Sequence, residues 1–253
     1  MLALLRAYLI SDPLIVLSTI FFGSISLAVS LFDKTGDTQM RVARRWAQSL
    51  LIVSGVRVHV DGIEHIHPDS SYVIASNHLS YMDTPVVLAN VPVRFRFLAK
   101  RGLFKIPFLG THLGQAGHIP VFRNDPRASV KTMQLAADVI QKRGTSLLVF
   151  PEGGRSHDGR LRSFKEGAAY IAIRAGAPIV PVAIIGTERV LPFGSGTPKP
   201  GQVTLKIMPP IPTQGRSLKE RQQVTDHVRE LIANALACGA NDEHFRGDGE
   251  RLK

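Results

Sequence analysis

The chain has 253 residues, 44% of them hydrophobic, with 31 Lys and Arg against 20 Asp and Glu for a formal net charge of +11. That length suits one large domain or one domain with an appendage, and the apolar content is ample for a buried core. The single cysteine, Cys238, excludes an internal disulfide and a cysteine-based zinc cluster. The basic balance (pI about 10.2) implies an anionic partner without choosing among nucleic acid, membrane surface and phosphorylated substrate.

The N-terminus narrows the choice. Pro13 to Phe32 is a run of 20 residues without a charge, long enough to cross a bilayer core. Asp12-Pro13 separates it from a shorter apolar piece, Leu2 to Ile10. Thr38 to Val53 reads as an amphipathic helix. Met40, Trp46, Leu50 and Leu51 are its apolar positions, and Arg41, Arg44 and Arg45 are suited to lipid headgroups. The run either spans or pairs with this helix as a hairpin dipping into one leaflet. Ala28-Val29-Ser30 resembles a cleavage site, but the run is long and the basic residues follow it, against a cleaved signal peptide. Lys34, Arg41, Arg44 and Arg45 after the run, with Arg6 before it, place the bulk of the protein on the cytoplasmic side. Residues 1–54 therefore read as a helical membrane anchor, and residues 1–33 as bringing the site to its substrate rather than building it.

Beyond it, Val56–Val60 alternates as a strand. Tyr72–Ser76, Arg94–Leu98, His118–Phe122, Ser146–Phe150, Ile179–Ile185 and Val203–Ile207 follow as further strands. Helices are predicted near Pro85–Ala89, Ala128–Lys142, Phe164–Arg174 and Gln222–Ala237. This alternation argues an α/β domain over residues 55–238, with a mixed, largely parallel sheet flanked by helices. Residues 239–253 read as a polar tail.

Several strand ends carry chemistry. Asn77-His78-Leu79-Ser80-Tyr81-Met82-Asp83 follows an apolar strand, and Thr84-Pro85 after it suits a helix N-cap and first turn. A turn here brings an imidazole beside a carboxylate, one ring nitrogen donating to Asp83 and the other free as a base. Alone, the pair reads more simply as a hydrogen-bonded loop histidine. Between Asp83 and Asp125 there is no acidic residue. Arg94 and Arg96 read as a solvated basic face. Lys100, Arg101 and Lys105 flank Leu103, Phe104 and Phe108, which suits headgroups and acyl chains, and Arg123 at a strand end is placed to grip phosphate. Phe150-Pro151-Glu152-Gly153-Gly154-Arg155-Ser156 lies at another strand end. Its glycines allow close backbone approach, Arg155 can neutralise phosphate, and Glu152 can orient an arginine or a hydroxyl. His118 and His157 lack a partner pattern and read as structural or exposed.

Four blocks together resemble the glycerolipid acyltransferase family, nearest its 1-acylglycerol-3-phosphate (lysophosphatidic acid) acyltransferases. They are Asn77-His78-x4-Asp83, Gly117-x-Ile119-Pro120-Val121-Phe122-Arg123, Phe150 to Ser156 and Ile179-Val180-Pro181-Val182, supported by Ala99–Gly110 and Phe164–Ala168. The likeness covers residues 55–215. Gly154 stands where the family usually has Thr, which removes a hydroxyl and loosens the turn. The resemblance implies His78 as general base and Asp83 as its orienting partner. It implies Arg123, Glu152, Gly153 and Arg155 on the acceptor's glycerol phosphate, and Pro181 shaping the acyl-donor side. Lys100 and Lys105 join the substrate-binding set.

The implied reaction acylates lysophosphatidic acid to phosphatidic acid from acyl-CoA or acyl carrier protein, without metal or cofactor. Membrane lipids are the anionic partner in place of nucleic acid, and the setting is a membrane's cytoplasmic face, as in a bacterial inner membrane. Competing classes fit less well. Gly154-Arg155-Ser156-His157-Asp158 lacks the final glycine of a hydrolase nucleophile elbow. No Gly-Lys-Ser/Thr exists for a phosphate-loop NTPase. A non-catalytic lipid- or nucleic-acid-binding protein would leave His78 and Asp83 without a task.

Overall fold

The computed structural model describes residues 7–122 and 125–239. Arg123 and the tail from residue 240 lie outside the described residues, as does the start of the Leu2–Ile10 piece. A short π-helical turn, Ala7–Ser11, leads into helix α1, Asp12–Ser30. Helix α2, Asp37–Ser54, returns alongside it. The pair meets through small polar side chains. Ser18 and Ser49 hydroxyls lie 2.6 Å apart, and the Trp46 indole donates to Thr19 at 3.1 Å. Helix α1 thus pairs with α2 as a hairpin. Its 9–30 stretch is long and apolar enough to cross a membrane, and most of it is unburied.

Strands β1 (Val56–Asp61), β2 (Val73–Ser76), β3 (Phe95–Lys100), β4 (Ile119–Val121), β5 (Ser146–Val149), β6 (Ile179–Ile185) and β7 (Gly201–Ile207) form one sheet. Their order is β1-β7-β6-β2-β5-β3-β4. Every pairing is parallel except β6 with β7. The central strands are wholly buried because both faces are covered, so alternate residues serve opposite cores. Val73, Ala75, Leu147 and Val149 face α5 (Pro126–Arg143), α6 (Gly167–Ala175) and α8 (Arg221–Gly239). Ile74, Leu148, Val180 and Val182 face α2 and α3 (Asp83–Asn90). Full burial of each such side chain contributes about 1.5–3 kcal/mol.

The sequence hides two helices, α4 (Leu109–Gln115) and α7 (Thr187–Val190). Gly110 and Gly114 dilute the helical pattern of the first, and the second is a single turn. Two arginines also depart from expectation. Arg96 is not on a solvated face. Its guanidinium is buried and donates to the Thr35 carbonyl at 3.0 Å and to Asp37 at 2.7 Å, pinning the α1–α2 turn to β3. Arg44 does not reach for headgroups. It donates to the carbonyls of Val91 and Val93, at 2.7 and 3.2 Å, closing the end of α3, while Arg41 and Arg45 are exposed.

Candidate active site

Parallel pairing brings the candidate residues together. Ala75 on β2 stands level with Val149 on β5, so the segments leaving these strands emerge side by side at the same C-terminal edge. The Asn77 amide extends β2 toward β6 by imitating a peptide. It donates to the Ile184 carbonyl and accepts from the Ile184 N–H, both at 2.8 Å. The chain then turns sharply, and the His78 N–H donates to Glu152 at 2.6 Å. Across the turn, the Ser156 N–H donates to the His78 carbonyl at 3.0 Å.

Asp83 is fully buried and begins α3, so the helix starts one residue before the Thr84 expected to cap it. One carboxylate oxygen accepts from His78 Nδ1, Leu79 N and Ser80 N, each at 2.8 Å. The other accepts from the Thr187 hydroxyl at 2.5 Å. The carboxylate thus fixes the His78 proton on Nδ1 and leaves the Nε2 lone pair free. The ring stacks on Phe150 with centroids 4.0 Å apart and planes 13° apart. Both ring position and tautomer are set before any substrate arrives, which is what a general base requires.

Glu152 is buried, and its second oxygen accepts from the Arg162 N–H at 3.0 Å. Burial raises its pKa, opposed by these two backbone hydrogen bonds. Its carboxylate therefore serves the loop backbone, with neither oxygen turned to an arginine. Gly153 has φ of 74°, a left-handed conformation unfavourable to a side chain, and a Cβ there would lie 3.2 Å from the Lys165 ammonium. Arg155 is held between the rings of Tyr81 and Phe193, 3.3 and 4.8 Å from their centroids. No carboxylate within the described residues pairs with it, so its donors remain available to an anion.

His78, Phe150, Gly153 and Gly154 line one part of a cavity of about 560 Å³. Thr19, Phe22, Gly23 and Leu27 of α1 form part of its wall, with Met40 and Trp46 of α2 and Phe97 to Lys100 of β3. The N-terminal helices therefore do more than the anchoring expected of residues 1–33. Their blocks carry no motif, but their helices enclose the space beside His78. Lys100 lines this cavity, whereas Lys105 sits exposed on the adjoining 101–105 turn and does not. Arg123 lies outside the described residues. His157 is exposed against Phe193 and His118 is buried, as expected. Thr187 is not singled out by the sequence, and Asn77 and Lys165 enter only as members of motif blocks, with no role assigned. No group of three or more His, Cys, Asp or Glu within the described residues is placed to hold a metal ion.

An oriented imidazole thus stands at the rim of a largely parallel sheet and opens on an apolar cavity, flanked by an arginine that pairs with no carboxylate among the described residues. The chain belongs to the acyltransferase family, whose model, described as Acyltransferase, matches residues 57–185. It is 37% identical to the chloroplastic 1-acyl-sn-glycerol-3-phosphate acyltransferase LPAT1 of Arabidopsis thaliana over 172 residues, 67% of this chain and 48% of that protein. Against the human 1-acyl-sn-glycerol-3-phosphate acyltransferase alpha it is 28% identical over 234 residues, 92% of this chain and 82% of that one. The crystal structure of the 1-acyl-sn-glycerophosphate (LPA) acyltransferase of Thermotoga maritima superposes with a TM-score of 0.78 at 28% identity, covering 94% of this chain and 98% of that chain. The chain spans about half the length of the chloroplastic relatives, 48% of the Arabidopsis protein and 55% of one from Brassica napus.

Proposed function

We propose that the protein transfers a fatty acyl group from an acyl thioester to the free hydroxyl of 1-acylglycerol-3-phosphate, forming phosphatidic acid. His78 Nε2 takes the hydroxyl proton as the oxygen attacks the thioester carbon. The C–O bond forms, the C–S bond breaks, and the imidazolium returns its proton to the departing thiolate. Asp83 steadies the imidazolium. Drawn this way, the reaction calls on no cofactor, since the thioester is already activated. Arg155 binds the acceptor phosphate with help from Lys165 and Arg123, and Gly153 lets the acceptor approach the backbone. Glu152 acts as a positioning residue, holding His78 through its main chain. Lys100 and Lys105 meet anionic groups at the cavity's outer edge.

The observation that carries this reading is the free Nε2 of an Asp83-bound His78 facing an apolar cavity. The printed names of the relatives support the same acceptor. Membrane association is supported by the exposed Leu17, Ile20 and Phe21 of α1 together with Phe108 and Leu109 beside the cavity. We place these in the bilayer, on the cytoplasmic face, with Arg41 and Arg45 at headgroup level. The test is an acceptor panel of lysophosphatidic acid, other lysophospholipids and glycerol 3-phosphate, each with acyl-CoA and acyl carrier protein donors, read by mass spectrometry. Phosphatidic acid from lysophosphatidic acid with at least one donor is expected. Faster acylation of another lysophospholipid or of glycerol 3-phosphate would overturn the assignment.

A further inference from the structure

One end of the cavity is not apolar. Ser26 of α1, His112 of α4 and His118 just before β4 line it among Leu27, Met40, Phe97 and Leu113. Their hydrogen bonds set their protons. The Phe97 N–H donates to His118 Nδ1 at 3.0 Å, so the neutral ring carries its proton on Nε2. Burial, with His112 and Arg96 nearby, pushes the His118 pKa down to about 3, and burial also lowers that of His112. Both rings are therefore neutral at working pH. Behind Ser26, the buried Gln39 amide donates to the Ser26 carbonyl at 3.4 Å and approaches its hydroxyl at 3.5 Å. The hydroxyl in turn lies 2.7 Å from His112 Nδ1. A hydroxyl donating to that nitrogen leaves the His112 proton on Nε2 as well.

Neither Nε2–H has a protein partner within the described residues. A donor there that an entering chain seals from water without a partner costs about 1–3 kcal/mol, and plain hydrocarbon offers it nothing. The two rings are 6.0 Å apart between centroids, close enough for one oxygen to sit between them. Register fixes how deep this lies. Phe97 and Ile74 both stand level with Leu148, so His118 is level with a residue four before His78. That is a depth of about 13 Å at roughly 3.3 Å per residue, with a further sideways displacement across three strand spacings.

We propose that this end of the cavity recognises an oxygen substituent, a hydroxyl or oxo group, carried well along the acyl chain, through the Nε2–H donors of His118 and His112. The inference rests on the acyl transfer proposed above, since an acyl group presented to His78 has this apolar cavity to run into. A mid-chain oxygen would accept from one or both rings, whereas an unsubstituted chain of equal length leaves them unmet.

Trp46 lines the same cavity and is the chain's 1 tryptophan, so its fluorescence reports occupancy without any chemistry. The full chain, detergent-solubilised, is titrated with octadecanoic acid and with isomers hydroxylated in the first, middle and last third. One isomer is expected to bind about tenfold more tightly than the parent acid, equivalent to about 1.4 kcal/mol. His118→Phe should abolish that preference. His118→Gln, whose amide can accept from Phe97 and still donate, should restore most of it. Equal binding of all isomers and parent would mean that water meets these donors, and would overturn the proposal, as would a preference that survives His118→Phe. The readout involves no acyl transfer. A preference in a protein that forms no phosphatidic acid would sink the proposed activity alone, and transfer with no preference would sink only this inference.

Discussion

Thr187 offers a sharp separation of stability from catalysis. Its hydroxyl is fully buried and is the partner of the Asp83 oxygen that does not touch His78. Thr187→Val keeps the shape and removes the donor. A hydrogen bond to a charged group contributes about 1.5–3 kcal/mol, and the abandoned carboxylate oxygen has no water to replace it. For a chain of this size, about 2–4 °C of Tm follows each kcal/mol, so a fall of about 3–12 °C is expected. Catalysis should suffer far less. The oxygen that orients His78 keeps its 2.8 Å bond to Nδ1 and its two backbone donors. Turnover below the new Tm should therefore stay within about tenfold of wild type, below the roughly hundred- to ten-thousand-fold that positioned acid–base groups supply. Calorimetry and initial rates of thioester consumption on the same preparation measure both. If turnover collapsed while Tm stayed unchanged, Thr187 would be acting on substrate, and the division of labour between the two carboxylate oxygens would be wrong.

Arg155→Ala should raise the acceptor KM about tenfold or more, the equivalent of about 1.5–3 kcal/mol for a charge-assisted phosphate contact, while the donor KM changes little; the reverse pattern in bisubstrate kinetics would move this residue to the donor side. Glu152→Gln puts an amide NH₂ against one of two buried N–H donors and should lower stability by about 1–3 kcal/mol in denaturant titrations. Since burial raises the Glu152 pKa above its unfolded value, the charged carboxylate costs stability that is absent below the unfolded pKa and grows as pH rises through the folded one. The wild-type minus Glu152→Gln stability difference should accordingly narrow as pH rises through that window, and a difference that widens there would contradict the burial argument. Phe108→Asp, at a side chain 74% exposed beside the cavity, should weaken vesicle binding without lowering Tm; unchanged flotation with liposomes would remove Phe108 from the membrane face.

The strand pattern was legible because each central strand is a short apolar run ending in Gly, Pro or a polar turn. The His78–Asp83 pair was legible because both residues belong to one turn, five positions apart. Thr187 and the Ile184 peptide that holds Asn77 lie more than a hundred residues downstream, and their roles follow only from β6 standing beside β2. Charge by itself misled at Arg96 and Arg44, since nothing local marks a guanidinium that turns inward to backbone carbonyls. The α1 helix misled for a different reason. An apolar run reads as lipid-facing throughout, yet Ser18, Thr19 and Ser26 give it a second face against α2 and the cavity.

The central claim is that His78 Nε2 is the base and Asp83 its orienting partner. Single-turnover formation of phosphatidic acid from labelled acyl thioester and lysophosphatidic acid, compared for wild type, His78→Ala and Asp83→Asn, tests it most directly. The account predicts that His78→Ala loses about a hundred- to ten-thousand-fold in the chemical step while remaining folded, with Asp83→Asn also severely impaired through loss of imidazole orientation. Near-native single-turnover rates in folded His78→Ala would contradict it.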